Sequence, residues 1–123
     1  MAKKILFIED EPALQQTLVG AMQKEGFEMY AANDGKQAIE LLNSEEFDLV
    51  LLDLILPKMN GFDILQTMKK EGKNIQTPVI VLTNLETSSD IQRAIELGAM
   101  TYLVKANYEL ADIVSKIKSF VNQ

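Results

Sequence analysis

A chain of 123 residues with 47% hydrophobic content is long enough to bury one core, and the expectation is a single domain over residues 1–123. It has no cysteine and no histidine, which excludes disulfides, thiol catalysis, imidazole bases and zinc held by those side chains, so any metal must be a hard cation held through oxygen. Its 12 basic against 18 acidic residues give a formal charge of −6, which argues against direct nucleic acid binding.

Met1-Ala2-Lys3-Lys4 is basic, but the apolar run after it, residues 5–8, is too short for a signal peptide core or a membrane span. A cytoplasmic protein with no membrane partner is expected. There is no linker, repeat or low-complexity tract, so a further domain is expected only beyond Gln123. Ile5-Leu6-Phe7-Ile8 reads as a strand that ends in Glu9-Asp10-Glu11. Pro12 suits a first helical turn, and Leu14, Leu18, Ala21 and Met22 follow at helical spacing until Gly26. Residues 27–32 form a weaker strand, and Asn33-Asp34-Gly35 turns into a helix carrying Ala38, Ile39, Leu41 and Leu42.

Leu49-Val50-Leu51-Leu52 reads as a strand buried on both faces, and it ends at Asp53. Pro57 and Asn60-Gly61 then prevent a regular continuation before a helix with Phe62, Ile64, Leu65 and Met68. Residues 73–77 read as a polar connector, and Val79-Ile80-Val81-Leu82 as a fourth strand ending at Thr83-Asn84. Thr87-Ser88-Ser89-Asp90 offers several caps for a helix with Ile91, Ala94 and Ile95, stopped by Gly98. Tyr102-Leu103-Val104 is a fifth strand ending at Lys105, and Asn107 is expected to cap a last helix with Leu110, Ile113, Val114, Ile117 and Val121 on one face. Five strands alternating with five helices predict an α/β fold: one doubly wound parallel sheet covered on both faces.

In such a sheet, ligands bind at the carboxyl ends of the strands. The residues there are Glu9 and Asp10, Asp53, Thr83 and Lys105. Alone, each has a plain structural reading: a turn aspartate, an acidic helix start, a loop cap, a surface lysine. Together they supply what one reaction needs. Clustered carboxylates ask for Mg²⁺, which takes one or two carboxylates beside water or phosphate. An aspartate beside that ion can accept a phosphoryl group, with Thr83 donating to one phosphoryl oxygen and Lys105 neutralising another.

These residues, with Pro57, Gly61, Gly98-Ala99 and Tyr102, make the chain resemble a response regulator receiver domain of two-component signalling over its whole length. The resemblance implies a flavodoxin-like fold with strand order 2-1-3-4-5. It implies Asp53 as phosphoacceptor, and Mg²⁺ held by Glu9, Asp10, Asp53 and the backbone carbonyl of Ile55. Thr83 and Tyr102 match the family's switch pair, and Lys105 its phosphate-contacting lysine. The implied partners are a sensor histidine kinase or phosphotransfer protein, and a downstream protein or output domain at the face of the fourth helix, fifth strand and fifth helix.

Five positions depart from the family's pattern. Glu9 stands for the usual aspartate, and Asn84 for a smaller residue. Met100-Thr101 stand where acids often precede the tyrosine in dimerising transcription factors. Ala106 stands for a proline that usually follows a cis bond; alanine makes cis cost ~2.5–4 kcal/mol, so a trans bond is expected, with Lys105 aimed differently. A dehalogenase-like phosphatase would need a second aspartate where Ile55 stands, and no Gly-rich phosphate loop follows any strand. The alternative reading is a degenerate receiver that serves as a phosphorylation-independent interaction module.

Overall fold

The computed structural model describes residues 2–121. In chain order the strands are β1 (Lys4–Ile8), β2 (Glu28–Ala32), β3 (Leu49–Leu52), β4 (Val79–Thr83) and β5 (Thr101–Val104). The helices are α1 (Pro12–Lys24), α2 (Gly35–Ser44), α3 (Gly61–Lys70), α4 (Ser88–Glu96) and α5 (Leu110–Val121). All strand pairs are parallel, in the order β2-β1-β3-β4-β5. This is the order expected of a flavodoxin-like sheet, and β1 and β3 meet where the winding reverses.

Alternation along the strands sorts the core into two layers. Leu6, Ile8, Val50, Leu52, Val79 and Val81 face one way, against Ala38 and Leu42 of α2, Leu65 and Met68 of α3, and Ala94 of α4. Ile5, Phe7, Leu49, Leu51, Ile80 and Leu82 face the other way, against Leu18 and Met22 of α1 and Ile113 and Ile117 of α5. Strands β3 and β4 are buried along their whole length, which is why they read as unbroken apolar runs. Each such side chain contributes about 1.5–3 kcal/mol by leaving water, so the strand ends rest on a fully buried sheet centre.

Local chemistry starts and stops the helices. Pro12 occupies the first turn of α1, and Gly26 closes it at φ +94°, with Gly26 N–H bonded to Gln23 O and Phe27 N–H to Met22 O. Asp34, Asn60 and Thr87 cap α2, α3 and α4 through their side chains. The last helix corrects an expectation. Asn107 lies in a 3-10 turn, Lys105–Asn107, and α5 starts only at Leu110. Its first turn is closed from Glu109, whose carbonyl accepts from Asp112 and Ile113 and whose N–H bonds to Asp112 Oδ2 at 3.3 Å. Among the described residues no helix is long and apolar enough to cross a membrane.

Candidate functional site

The sheet order brings the carboxyl ends of β1, β3, β4 and β5 to one edge. Glu9 continues β1, its N–H bonded to Ala32 O, and Asp53 continues β3, its N–H bonded to Ile8 O, each at 3.0 Å. Both are buried, at 1% and 4% exposure, whereas Asp10 is exposed. One carboxylate oxygen from each of Glu9, Asp10 and Asp53 lies within 4.8 Å of the other two.

Lys105 enters this cluster from the end of β5. Its ammonium lies 2.8 Å from Asp53 Oδ2, in a hydrogen bond, and 2.6 Å from Glu9 Oε1. The bond before Ala106 is trans, as every described peptide bond is, yet the lysine is not turned away from the site. Its four-carbon stem reaches both acids from the expected trans backbone. Burial acts to lower the lysine's pKa, but its bonds to Asp53 and Glu9 outweigh that and hold it above the ordinary value.

Glu9 is the strained member electrostatically. Burial pushes its carboxyl up to about 7, against the pull of the Lys105 ammonium and with the Asp53 charge adding to the rise. Its Oε2 accepts the N–H of Glu11 at 3.1 Å. Its Oε1 is buried, and what faces it is the Lys105 ammonium at 2.6 Å, in a close ion pair. Three carboxylates against one ammonium leave a formal charge of minus two when all are ionised. A buried cluster of oxygen donors whose negative charge one ammonium offsets only in part fits a small hard divalent cation.

The loop after β3 is shaped around Asp53. Ile55 N–H bonds to Asp53 Oδ1 at 3.1 Å, while the Ile55 side chain is 52% exposed beside the site. Lys58 adopts φ +69°, uncommon for a residue with a side chain, and its ammonium lies 3.4 Å from Asp34 Oδ2. Gly61 N–H bonds to Leu54 O at 3.0 Å, and a Cβ on Gly61 would stand 2.6 Å from Asp53 O, so only glycine permits this approach.

Thr83 ends β4, fully buried, and its hydroxyl accepts from Leu85 N–H at a long 3.5 Å. Tyr102 lies on β5 opposite Val81, and its hydroxyl donates to Leu85 O at 2.8 Å. The side chains anticipated from the sequence therefore gather toward one end of the sheet: Lys105 in contact with Glu9 and Asp53, Asp10 beside them, and Thr83 at the end of β4 and Tyr102 on β5 both bonded to Leu85 of the segment after β4.

Gln15 escaped the sequence reading. It is buried on α1, and its side-chain amide donates to Glu9 O and Ala32 O, both at 3.0 Å. The signal was there: Gln15 precedes Leu18 by three and Met22 by seven residues, which places a polar group on the buried stripe.

Residues 5–118 match the family described as the response regulator receiver domain. The transcriptional regulatory protein CrdR of Helicobacter pylori is 36% identical over 122 residues, covering 99% of this chain and 56% of CrdR. The chain thus spans little more than half the length of that curated relative. Among solved structures, the Mn(2+)-bound form of response regulator Rcp1 is 31% identical, with a TM-score of 0.86 over 96% of this chain and 93% of that one. The phosphorylated cyanobacterial phytochrome response regulator RcpA is 29% identical, with a TM-score of 0.89 over 100% of this chain and 96% of that one.

Proposed function

The chain belongs to the response regulator receiver domain family, the switch modules of two-component signalling, and from that premise we propose that it accepts a phosphoryl group on Asp53. The observation that carries this reading is the Lys105 ammonium bound to Asp53 and Glu9 inside a cluster of three carboxylates. The phosphorylated RcpA and the Mn(2+)-bound Rcp1 support it as similar chains.

The donor is a phosphohistidine on a sensor kinase or phosphotransfer protein. A carboxylate oxygen of Asp53 forms a bond to phosphorus while the phosphorus–nitrogen bond breaks, and the electron pair leaves with the donor imidazole, which takes up a proton. Glu9, Asp10, Asp53 and the main-chain carbonyl of Ile55 would hold Mg²⁺, which supplies charge neutralisation at the phosphoryl oxygens. Lys105, already at Asp53 Oδ2, neutralises another phosphoryl oxygen without moving far. Thr83 exchanges its long bond to Leu85 N–H for one that it donates to the phosphoryl group.

Phosphorylation adds about −1.5 to −2 charge at one point, which biases the segment after β4 between two arrangements. Tyr102, fastened to Leu85, reports that segment to β5 and α4. The face of α4, β5 and α5 is where we place the downstream protein or output domain, and it already exposes Ile95 and Met100. The function is a signalling switch rather than a metabolic enzyme, and we place it in the cytoplasm without direct contact to nucleic acid. Intact-protein mass after incubation with acetyl phosphate, with and without Mg²⁺, tests the reading. One phosphoryl adduct is expected, dependent on Mg²⁺ and absent in Asp53→Asn. No adduct from acetyl phosphate or from a histidine kinase would leave the phosphorylation-independent interaction module.

A further inference from the structure

We propose that Gln15 is a positioning residue that holds the Glu9–Asp10 pair in the geometry that accepts a divalent cation, an inference that rests on reading Glu9, Asp10 and Asp53 as that cation's site. Strand β1 ends at Ile8, so the Glu9 carbonyl has no partner in the strand ladder, and at 1% exposure of the residue water does not reach it readily. Gln15 fills the gap. Its amide nitrogen carries two hydrogens, and one goes to Glu9 O and the other to Ala32 O, each at 3.0 Å. Ala32 O also accepts the Glu9 N–H at 3.0 Å. The two ends of Glu9 are therefore tied, directly and through one side chain, to a single carbonyl at the end of β2.

What this fixes is the peptide plane between Glu9 and Asp10. With that plane held, the directions in which both carboxylates leave the backbone are held too. Such a clamp matters because three carboxylates within 4.8 Å repel one another, and a loop free to turn would relieve the repulsion by swinging Glu9 or Asp10 away. Gln15 is well mounted to resist this. It sits in the first turns of α1, whose Leu18 and Met22 are fully buried against the sheet. The side chain donates its hydrogen bonds to main-chain carbonyls and not to the carboxylates, so its effect passes through the main chain, as outer groups do at metal sites.

The test uses Mn²⁺ as the probe, followed by electron paramagnetic resonance on the full chain, with Mg²⁺ as competitor. The wild type should bind one Mn²⁺ that Mg²⁺ displaces. Gln15→Met keeps the bulk and loses both donors; its Mn²⁺ dissociation constant should rise roughly tenfold, the lower end of what outer groups contribute. The Mg²⁺ concentration for half-maximal adduct formation with acetyl phosphate should rise by a similar factor. Gln15→Asn, one methylene too short to reach both carbonyls, should shift the same way and serves if Gln15→Met does not fold. Leu18→Ala is the comparison: it opens the core of the same helix, lowers the unfolding temperature and should leave the Mn²⁺ constant unchanged. A folded Gln15 variant that binds Mn²⁺ as tightly as the wild type overturns the proposal while the site stands. Failure of the wild type to bind Mn²⁺ overturns both.

Discussion

The hydroxyl of Tyr102 donates a 2.8 Å hydrogen bond to the main-chain carbonyl of Leu85, and the N–H of the same Leu85 faces the Thr83 hydroxyl at 3.5 Å. One residue of the segment after β4 is thus held at both of its polar groups by two side chains, one from each neighbouring strand. Burial pushes the Tyr102 phenol up to about 12, with the Asp90 and Asp53 charges adding to the rise, so the hydroxyl stays a donor throughout the neutral range. The weaker bond is Thr83's, and it is the one that phosphorylation would take away.

Tyr102→Phe removes the stronger tie and keeps the ring. Leu85 is only partly buried, so water can reach its carbonyl, and the loss of stability should be about 0.5–1.5 kcal/mol, read from urea midpoints. Adduct formation on Asp53 should persist, while binding of a phosphorylation-dependent partner should weaken. A variant whose partner binding still follows phosphorylation as in the wild type would show that the Tyr102–Leu85 bond transmits nothing.

Gly61→Ala tests how closely the loop after β3 must fold over the acceptor. A Cβ there would lie 2.5 Å from Leu54 Cα and 2.6 Å from Asp53 O, both backbone atoms that cannot swing aside. The backbone that carries Asp53 must then shift, which should cost about 1–3 kcal/mol, as overpacking does, and slow adduct formation markedly. Urea unfolding and acetyl phosphate labelling of one preparation give both readings. A stable variant with wild-type labelling would show that the loop has slack.

The strands and helices were legible because each apolar run is either buried on both faces, as in β3 and β4, or repeats at helical spacing, as in α5. The acidic pair, Asp53, Thr83 and Lys105 were legible because each directly follows such a run. Contacts between polar groups distant in sequence were not. Residues 73–77 read as a plain connector, yet Asn74 is buried, accepting Phe47 N–H and donating to Leu42 O and Glu45 O across about thirty residues. Gln15 is the same case: its spacing from Leu18 and Met22 marks it as facing inward, but nothing local says that it meets the carbonyls of Glu9 and Ala32. Ala106 pointed to the trans bond but not to the contacts of Lys105, since local backbone preference says little about where a long flexible side chain ends.

Asp34 sets a pH dependence on the approach to the site. The N–H of Gln37 bonds to its carboxylate, and this, ahead of the Lys58 charge and against some burial, holds its pKa below the usual 3.8. A lowered pKa in the folded state means that the unfolded chain binds the proton more readily, so the stabilisation is complete above pH 3.8 and is lost as pH falls through the folded value. Asp34→Ala should therefore be less stable than the wild type at neutral pH, and the difference should narrow below about pH 4. Thermal unfolding across pH 3–7 measures it, and a difference that is flat with pH would remove the role of the charge.

Lys105→Met separates the lysine from the cation it accompanies. Without the ammonium, Glu9 and Asp53 lose the positive charge that now lies 2.6 and 2.8 Å from them, and no other group donates a hydrogen bond to Glu9 Oε1. In chelator-treated protein this should cost about 1–3 kcal/mol, the penalty for leaving buried acceptors unmatched. Mg²⁺ should restore more of the loss than it adds to the wild type, because the site then offers the same carboxylates with no neighbouring ammonium to repel the ion. Adduct formation should still slow, since the charge that neutralises a phosphoryl oxygen is gone. The check is the unfolding temperature of both proteins with and without Mg²⁺. A variant that gains no more from Mg²⁺ than the wild type would mean that ammonium and cation do not share the same carboxylates.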